Sequence, residues 1–218
     1  MTDISTSPAP DVSNLGLDRA RPLVIVDVDE VLGLFMQGFG TFLEGHGLEF
    51  RIEKFALFQN IYRPGETEHL DIVEGRKFYD EFFREACGEM PLAPGGPEAL
   101  RVLSERAGVV ILTNAPGQAR QARARWLVRH GMDYPLILNT GPKGPLAAEL
   151  ARQVTGPVAF VDDLISNLDS VAEHAPHVAR FQSVADPRLR PFAPSKPDLH
   201  TRIDDWAELH AAIEAAIA

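Results

Sequence analysis

Cysteine is almost absent: Cys87 is the only one in 218 residues. A single thiol excludes an intrachain disulfide and fits a reducing compartment. On its own it reads as a small buried hydrophobe. Neither a CxxC nor an HExxH spacing occurs, so no zinc site is suggested. No apolar run approaches the roughly 18 residues of a membrane span. Residues 1–21 lack a basic start followed by a hydrophobic stretch, so no signal peptide is expected there. Positive charge is scarce as well. Lys and Arg number 21 against 31 Asp and Glu, giving a net charge of -10 and a pI of about 5.1. Such a surface repels nucleic-acid backbones and anionic membranes, and excludes both as general partners. It would repel a phosphate substrate too. An acidic protein that handles phosphate needs local positive charge from a metal ion, a lysine or a helix N-terminus. The expectation is a cytoplasmic protein.

What is present is a buried-strand rhythm. With 45% hydrophobic residues the chain can bury a sizeable core. Leu23-Val24-Ile25-Val26 is a short β-branched run of the kind buried on both faces in a parallel sheet. Similar runs end at Leu112, Leu138, Val161 and Phe181. Helical patterns lie between them, at 97–106, 118–130 with Gly131 as C-cap, 146–153 and 165–173, and a last one at 206–217. Strands alternating with helices predict an α/β, Rossmann-like parallel sheet flanked by helices.

The stretch 33–96 breaks this rhythm and holds nine of the twelve phenylalanines. It is far longer than a crossover needs. The expected organisation is a flexible N-terminal tail at 1–21, a core at 22–32 and 97–218, and a small, mainly helical cap at 33–96. The proline-rich stretch 185–197 is expected to be an irregular surface segment.

Polar residues cluster where the buried runs stop. Asp27 and Asp29 follow the first, and their spacing of two puts both side chains on one side of an extended chain. Thr113 and Asn114 follow the second, and Asp162 and Asp163 follow a later one. Alone, each could be a turn or cap residue. Lys143 alone could be a solvated charge, yet it is the only lysine between Thr113 and Asp162. Together they are stronger, because open parallel sheets build ligand sites outside the carboxyl ends of their strands. One crevice would then hold two acidic clusters, a hydroxyl and an ammonium. Oxygen-only ligation suits Mg²⁺.

This pattern resembles the haloacid dehalogenase-type hydrolase superfamily. Val24-Ile25-Val26-Asp27-Val28-Asp29-Glu30-Val31 resembles its first motif, DxDx(T/V). Ile111-Leu112-Thr113 resembles the second, Lys143 the third, and Phe160-Val161-Asp162-Asp163 the fourth, with Asn167 following. The resemblance spans about Pro22 to Phe181, and 33–96 falls where such proteins place a C1-type cap. It implies a Mg²⁺-dependent phosphohydrolase acting on a small phosphate monoester. Asp27 would be the nucleophile that becomes an aspartyl-phosphate, and Asp29 the acid and base. Thr113 would hydrogen-bond the phosphoryl oxygens and Lys143 would neutralise charge. The metal would be held by Asp27, Asp163 and the backbone carbonyl of Asp29. Asp162, Asn114 and Asn167 would support the site, Asp162 by orienting Lys143 or a metal-bound water. Asp163 is preferred as ligand because Asn167 follows it by four residues. Glu30 departs from the pattern, since many relatives have Gly there.

The alternatives are another enzyme of this fold, a phosphonatase, phosphomutase or dehalogenase, and a non-catalytic phosphate-binding protein. A phosphonatase needs a cap lysine, and Lys54 and Lys77 both lie in 33–96. The substrate would be a small phosphorylated metabolite, with a nucleotide among the candidates. In the cap, Phe35, Tyr62, Arg63 and His69 are the candidates to touch it.

Overall fold

A computed structural model describes residue 10 and residues 12–218. The chain runs β1 (Leu23–Val26), α1 (Phe35–Gly45), β2 (Glu49–Phe50), β3 (Ile61–Tyr62), α2 (Ile72–Glu85), α3 (Gly96–Ser104), β4 (Gly108–Thr113), α4 (Arg120–Arg129), β5 (Leu136–Leu138), α5 (Gly144–Ala151), β6 (Val158–Asp162), α6 (Ile165–His174), β7 (Ala179–Gln182), β8 (Thr201–Arg202) and α7 (Trp206–Ala216). Six strands form one sheet in the order β5-β4-β1-β6-β7-β8, every pair parallel. The expected Rossmann-like α/β sheet is therefore present, with β8 added at one edge.

Strand alternation divides the core. Val24, Val26, Val109 and Ile111 face a cluster that includes residues of α3, α4 and α7. Leu23, Ile25, Val110 and Leu112 face one built with α5 and α6. All four β1 side chains are fully buried, as a central strand covered on both faces requires. From β1 the chain moves to β4 and β5 on one side, then to β6, β7 and β8 on the other. This reversal opens a crevice at the carboxyl end of β1.

Between β1 and α3 the chain makes its excursion: α1, a short antiparallel hairpin of β2 and β3, and α2. Phe35 stacks on Phe39 and Phe83, with centroids 5.7 and 5.8 Å apart, and meets Phe82 edge-on at 5.3 Å. These rings are continuous with core residues Trp126, Leu127 and Leu209 in one hydrophobic cluster. The phenylalanine-rich stretch thus shares a core with the sheet domain.

The expected flexible tail differs in part. Residues 1–9 and 11 lie outside the described residues. Val12 is fully buried, its carbonyl accepts from Gln153 Nε2 at 2.9 Å, and Leu15 and Leu17 pack on the α5–α6 side. Three apolar residues in a short polar stretch carry too weak a period to be read as docked. The 185–197 segment is irregular, as expected, but not wholly superficial. Leu189 and Asp186 are buried, and Asp186 N–H faces Glu30. Among the described residues no helix is long and apolar enough to cross a membrane.

Candidate active site

The carboxyl ends of β1, β4 and β6 bring Asp27, Thr113, Asp162 and Asp163 together. β1 pairs with both β4 and β6, with Val26 level with Ile111 and Val161, so the residues that follow converge. Lys143 enters from the turn before α5. Its position depends on Gly144, where a Cβ would lie 2.2 Å from the Ser170 carbonyl oxygen. Only glycine lets α5 approach α6 so closely.

Lys143 is fully buried. Its Nζ lies 2.8 Å from Asp27 Oδ2 and 2.6 Å from Asp162 Oδ2. Burial alone would lower the ammonium pKa, but attraction to Asp162 and Asp27 outweighs it and the pKa is raised. Asp162 Oδ1 accepts from Leu164 N–H at 2.9 Å and Asn167 Nδ2 at 3.0 Å. Both Asp162 oxygens are therefore committed, and Asn167 binds Asp162, not Asp163. The side chain of Asp163 accepts no hydrogen bond from the described residues, though one of its oxygens lies within 4.8 Å of ligand atoms of both Asp27 and Asp162. Its pKa is raised well above the usual value by burial, then by the charges of Asp162, Asp27 and Glu30. Three carboxylates against one ammonium leave an excess of negative charge that a divalent cation would offset. The donor set is all oxygen, which suits Mg²⁺.

Thr113 is fully buried with an unpartnered Oγ1. A buried hydroxyl without a partner is costly; Thr113 is the last residue of β4 and leaves this donor free among the described residues. Asn114 is held by two bonds: its Nδ2 donates to the Gly141 carbonyl at 2.9 Å, and its Oδ1 accepts from Asn139 Nδ2 at 2.9 Å.

Asp29 brings in a residue that the sequence reading missed. Arg123, fully buried on α4, forms an ion pair with Asp29 at 2.8 Å and lies over the Phe83 ring at 5.5 Å. Burial raises the Asp29 pKa, Arg123 opposes this, and Asp27 adds to it; the net direction is up. A signal was available: Arg123 shares a helical face with Trp126 and Leu127, an unusual place for a lone cation.

Glu30 is buried, in a left-handed conformation (φ 58) that favours glycine. Its carboxyl accepts from Met36 N–H at 2.7 Å and Asp186 N–H at 3.3 Å. Burial pushes its pKa up to about 8 from 4.5, so it adds little charge to the crevice at neutral pH. The stability linked to this proton is fully present below about pH 4.5 and is lost as pH rises through about 8. Glu30→Gln should flatten that loss. The variant's melting temperature should gain on wild type by about 3 °C or more between pH 5 and pH 8. A difference that stays constant with pH would show that Glu30 does not titrate there.

A cleft of about 290 Å³ opens over these groups, lined by Asp27, Asp29, Glu30, Asn114, Asp163 and Asn167 at its floor. Phe35 lines it, as expected. Tyr62, Arg63 and His69 do not. Tyr62 is buried with its hydroxyl on Glu53 at 3.1 Å, Arg63 pairs with Glu74 at 2.7 Å on the surface, and the His69 ring contacts the Leu70 carbonyl. The 51–60 end of the β2–β3 hairpin faces the cleft and contributes Phe55 and Leu57. Residues 63–69 follow β3, at the other end. Met36 of α1 and Tyr79 of α2 complete this side. Which end of a hairpin faces a site is set by tertiary packing and leaves no mark in local sequence.

No family model matches the chain, and none of the curated proteins does. Solved structures do. A haloacid dehalogenase-like family hydrolase from Streptococcus pneumoniae superposes with a TM-score of 0.59 at 14% identity, over 89% of this chain and 99% of that one. A HAD-superfamily hydrolase of subfamily IA from Geobacter sulfurreducens gives 0.54 at 20% identity, over 93% and 100%. YfnB from Bacillus subtilis, described as a HAD-hydrolase, gives 0.57 at 12% identity, over 90% and 99%. Sheet order, crevice and neighbours agree: the chain has the fold of the haloacid dehalogenase-type hydrolases.

Proposed function

We propose that the protein is a Mg²⁺-dependent phosphohydrolase that cleaves a small phosphate monoester through an aspartyl-phosphate on Asp27. The observation that carries this reading is Lys143, wholly buried, bridging Asp27 at 2.8 Å and Asp162 at 2.6 Å beside the uncommitted carboxylate of Asp163. A carboxylate is a weak nucleophile but needs no deprotonation at neutral pH. Asp27 attacks phosphorus while the bond to the leaving oxygen breaks. Asp29 gives its proton to that oxygen, and its raised pKa supports the role. Asp29 then takes a proton from the water that attacks phosphorus, which frees Asp27. Thr113 Oγ1 donates to a phosphoryl oxygen, and Lys143 offsets the charge that builds on Asp27 and the phosphoryl group.

Asp27 and Asp163 would hold the cation, which supplies electrostatic stabilisation of the phosphoryl oxygens when bound. Asp162 is a positioning residue, since both of its oxygens are taken. A magnesium-bound structure is known for YfnB, which shares the fold. The lone, buried Cys87 suits a cytoplasmic setting. Lys54 and Lys77 are exposed and outside the cleft lining, which disfavours phosphonatase chemistry.

Mg²⁺ at about a hundredfold excess over its Kd should raise the melting temperature by about 5–10 °C. Asp163→Asn should weaken binding at least about tenfold. EDTA should abolish hydrolysis of an aryl phosphate. Turnover in metal-free buffer, or a melting point indifferent to Mg²⁺, would overturn the reading.

A further inference from the structure

The reaction centre occupies one end of the cleft, and its remaining wall is of a different character. That wall is made by Phe35, Met36, Phe55, Leu57, Tyr79 and Leu164. Among the described residues lining the cleft, Tyr79 is the only ionisable one besides the acids Asp27, Asp29, Glu30 and Asp163. Among the described residues no Lys, Arg or His lines it. Lys143 lies below Asp27 and Asp162, and Arg123 is held by Asp29. Of the cations in 33–96, Arg63 pairs with Glu74 and Arg76 lies over the Phe58 ring, while Lys54, next to Phe55 in the chain, is exposed and is not among the residues that line the cleft.

We propose that the substrate's leaving group is uncharged and apolar, a small flat or branched alcohol that carries no second phosphate and no carboxylate. This inference rests on the phosphohydrolase reading of the same site and specifies what it acts on. A second anion would shed its hydration against hydrocarbon, find no counter-charge and sit within the field of the floor carboxylates. An apolar group gains from the same wall. The wall is also rigid. Tyr79 meets Phe83 edge-on at 4.7 Å, and Phe35 is gripped by Phe39, Phe82 and Phe83, so its shape is set before binding. Burial pushes the Tyr79 phenol up to about 12, with the Asp29 charge contributing. It therefore offers a neutral hydroxyl, with no hydrogen bond to the described residues. That gives one polar contact for an alcohol bearing a single uncharged hydroxyl or amide. The volume, about 290 Å³, is at the lower end for a small-molecule pocket and favours a group the size of one ring.

The test uses the full chain with Mg²⁺ and four esters: benzyl phosphate, 4-carbamoylbenzyl phosphate, 4-carboxybenzyl phosphate and glycerol 3-phosphate. Carbamoyl and carboxyl are matched in size and differ in charge. The expected kcat/KM for the carbamoyl ester exceeds that for the carboxyl ester by roughly tenfold or more, the scale of a like-charge contact. Benzyl phosphate should exceed glycerol 3-phosphate by a similar factor. Leu57→Arg should shift the carbamoyl-to-carboxyl ratio at least about tenfold toward the carboxylate. If all four esters are hydrolysed but the carboxylate or glycerol ester is equal or better, the leaving-group assignment falls and the phosphohydrolase reading stands. If none releases phosphate, both fall.

Discussion

Asp27→Asn should reduce phosphate release by at least about a thousandfold and leave the fold intact. The loss follows from the absence of a nucleophile, which in comparable enzymes costs several orders of magnitude. The fold should survive because the change keeps volume and geometry. Asp27 Oδ1 accepts from Val28 N–H at 2.7 Å, and an amide oxygen can keep that bond. The substitution also removes one of three clustered carboxylates, easing repulsion in a buried site. Against this, the amide nitrogen would replace Asp27 Oδ2 beside the Lys143 ammonium, which keeps Asp162 as its partner, so the melting temperature without metal should fall by no more than about 5 °C while turnover disappears. Residual activity above about a hundredth of wild type would mean that another group attacks phosphorus.

Lys143→Met is expected to damage both activity and stability. The thioether fills a similar volume but removes the charge, leaving Asp27 and Asp162 buried without their shared partner. Breaking a buried ion pair from one side costs about 3–5 kcal/mol, and for a chain of this size the melting temperature should fall by about 10 °C. Turnover should fall by about 10²–10³-fold from the loss of one charge donor alone. The double variant Lys143→Met, Asp162→Asn should recover part of the stability, because it removes one of the two stranded charges, and little of the activity. A single variant as stable as wild type and within fivefold of its rate would remove Lys143 from the site.

The two variants separate roles that are hard to part by inspection. Asp162 and Asp163 are adjacent in sequence and both buried, yet one is saturated with protein donors and the other is not. Asn167 shows why spacing alone is a weak guide. Its place four residues after Asp163 pointed to Asp163, whereas its amide donates to Asp162. The turn into α6 brings residues i and i+5 together, a contact decided by the local backbone path.

The sheet and the motif residues were legible from the amino-acid sequence. β-branched runs such as Leu23–Val26 can only be satisfied between two covering layers, and a parallel sheet brings the residues after its strands to one edge. Asp27, Asp29, Thr113 and Asp163 follow from that geometry, and Lys143 from its scarcity. The excursion at 33–96 was visible in length and phenylalanine content. What tertiary structure alone decided is contact across long separations. Arg123 meets Asp29 over 94 positions, and Glu30 meets Asp186 over 156. The 51–60 end of the hairpin, rather than Arg63 or His69, faces the cleft. Periodicity states which face of an element is buried, but not which distant element covers it. That choice is made by packing shape and by pairing each buried charge, and neither is written in any local stretch of the chain.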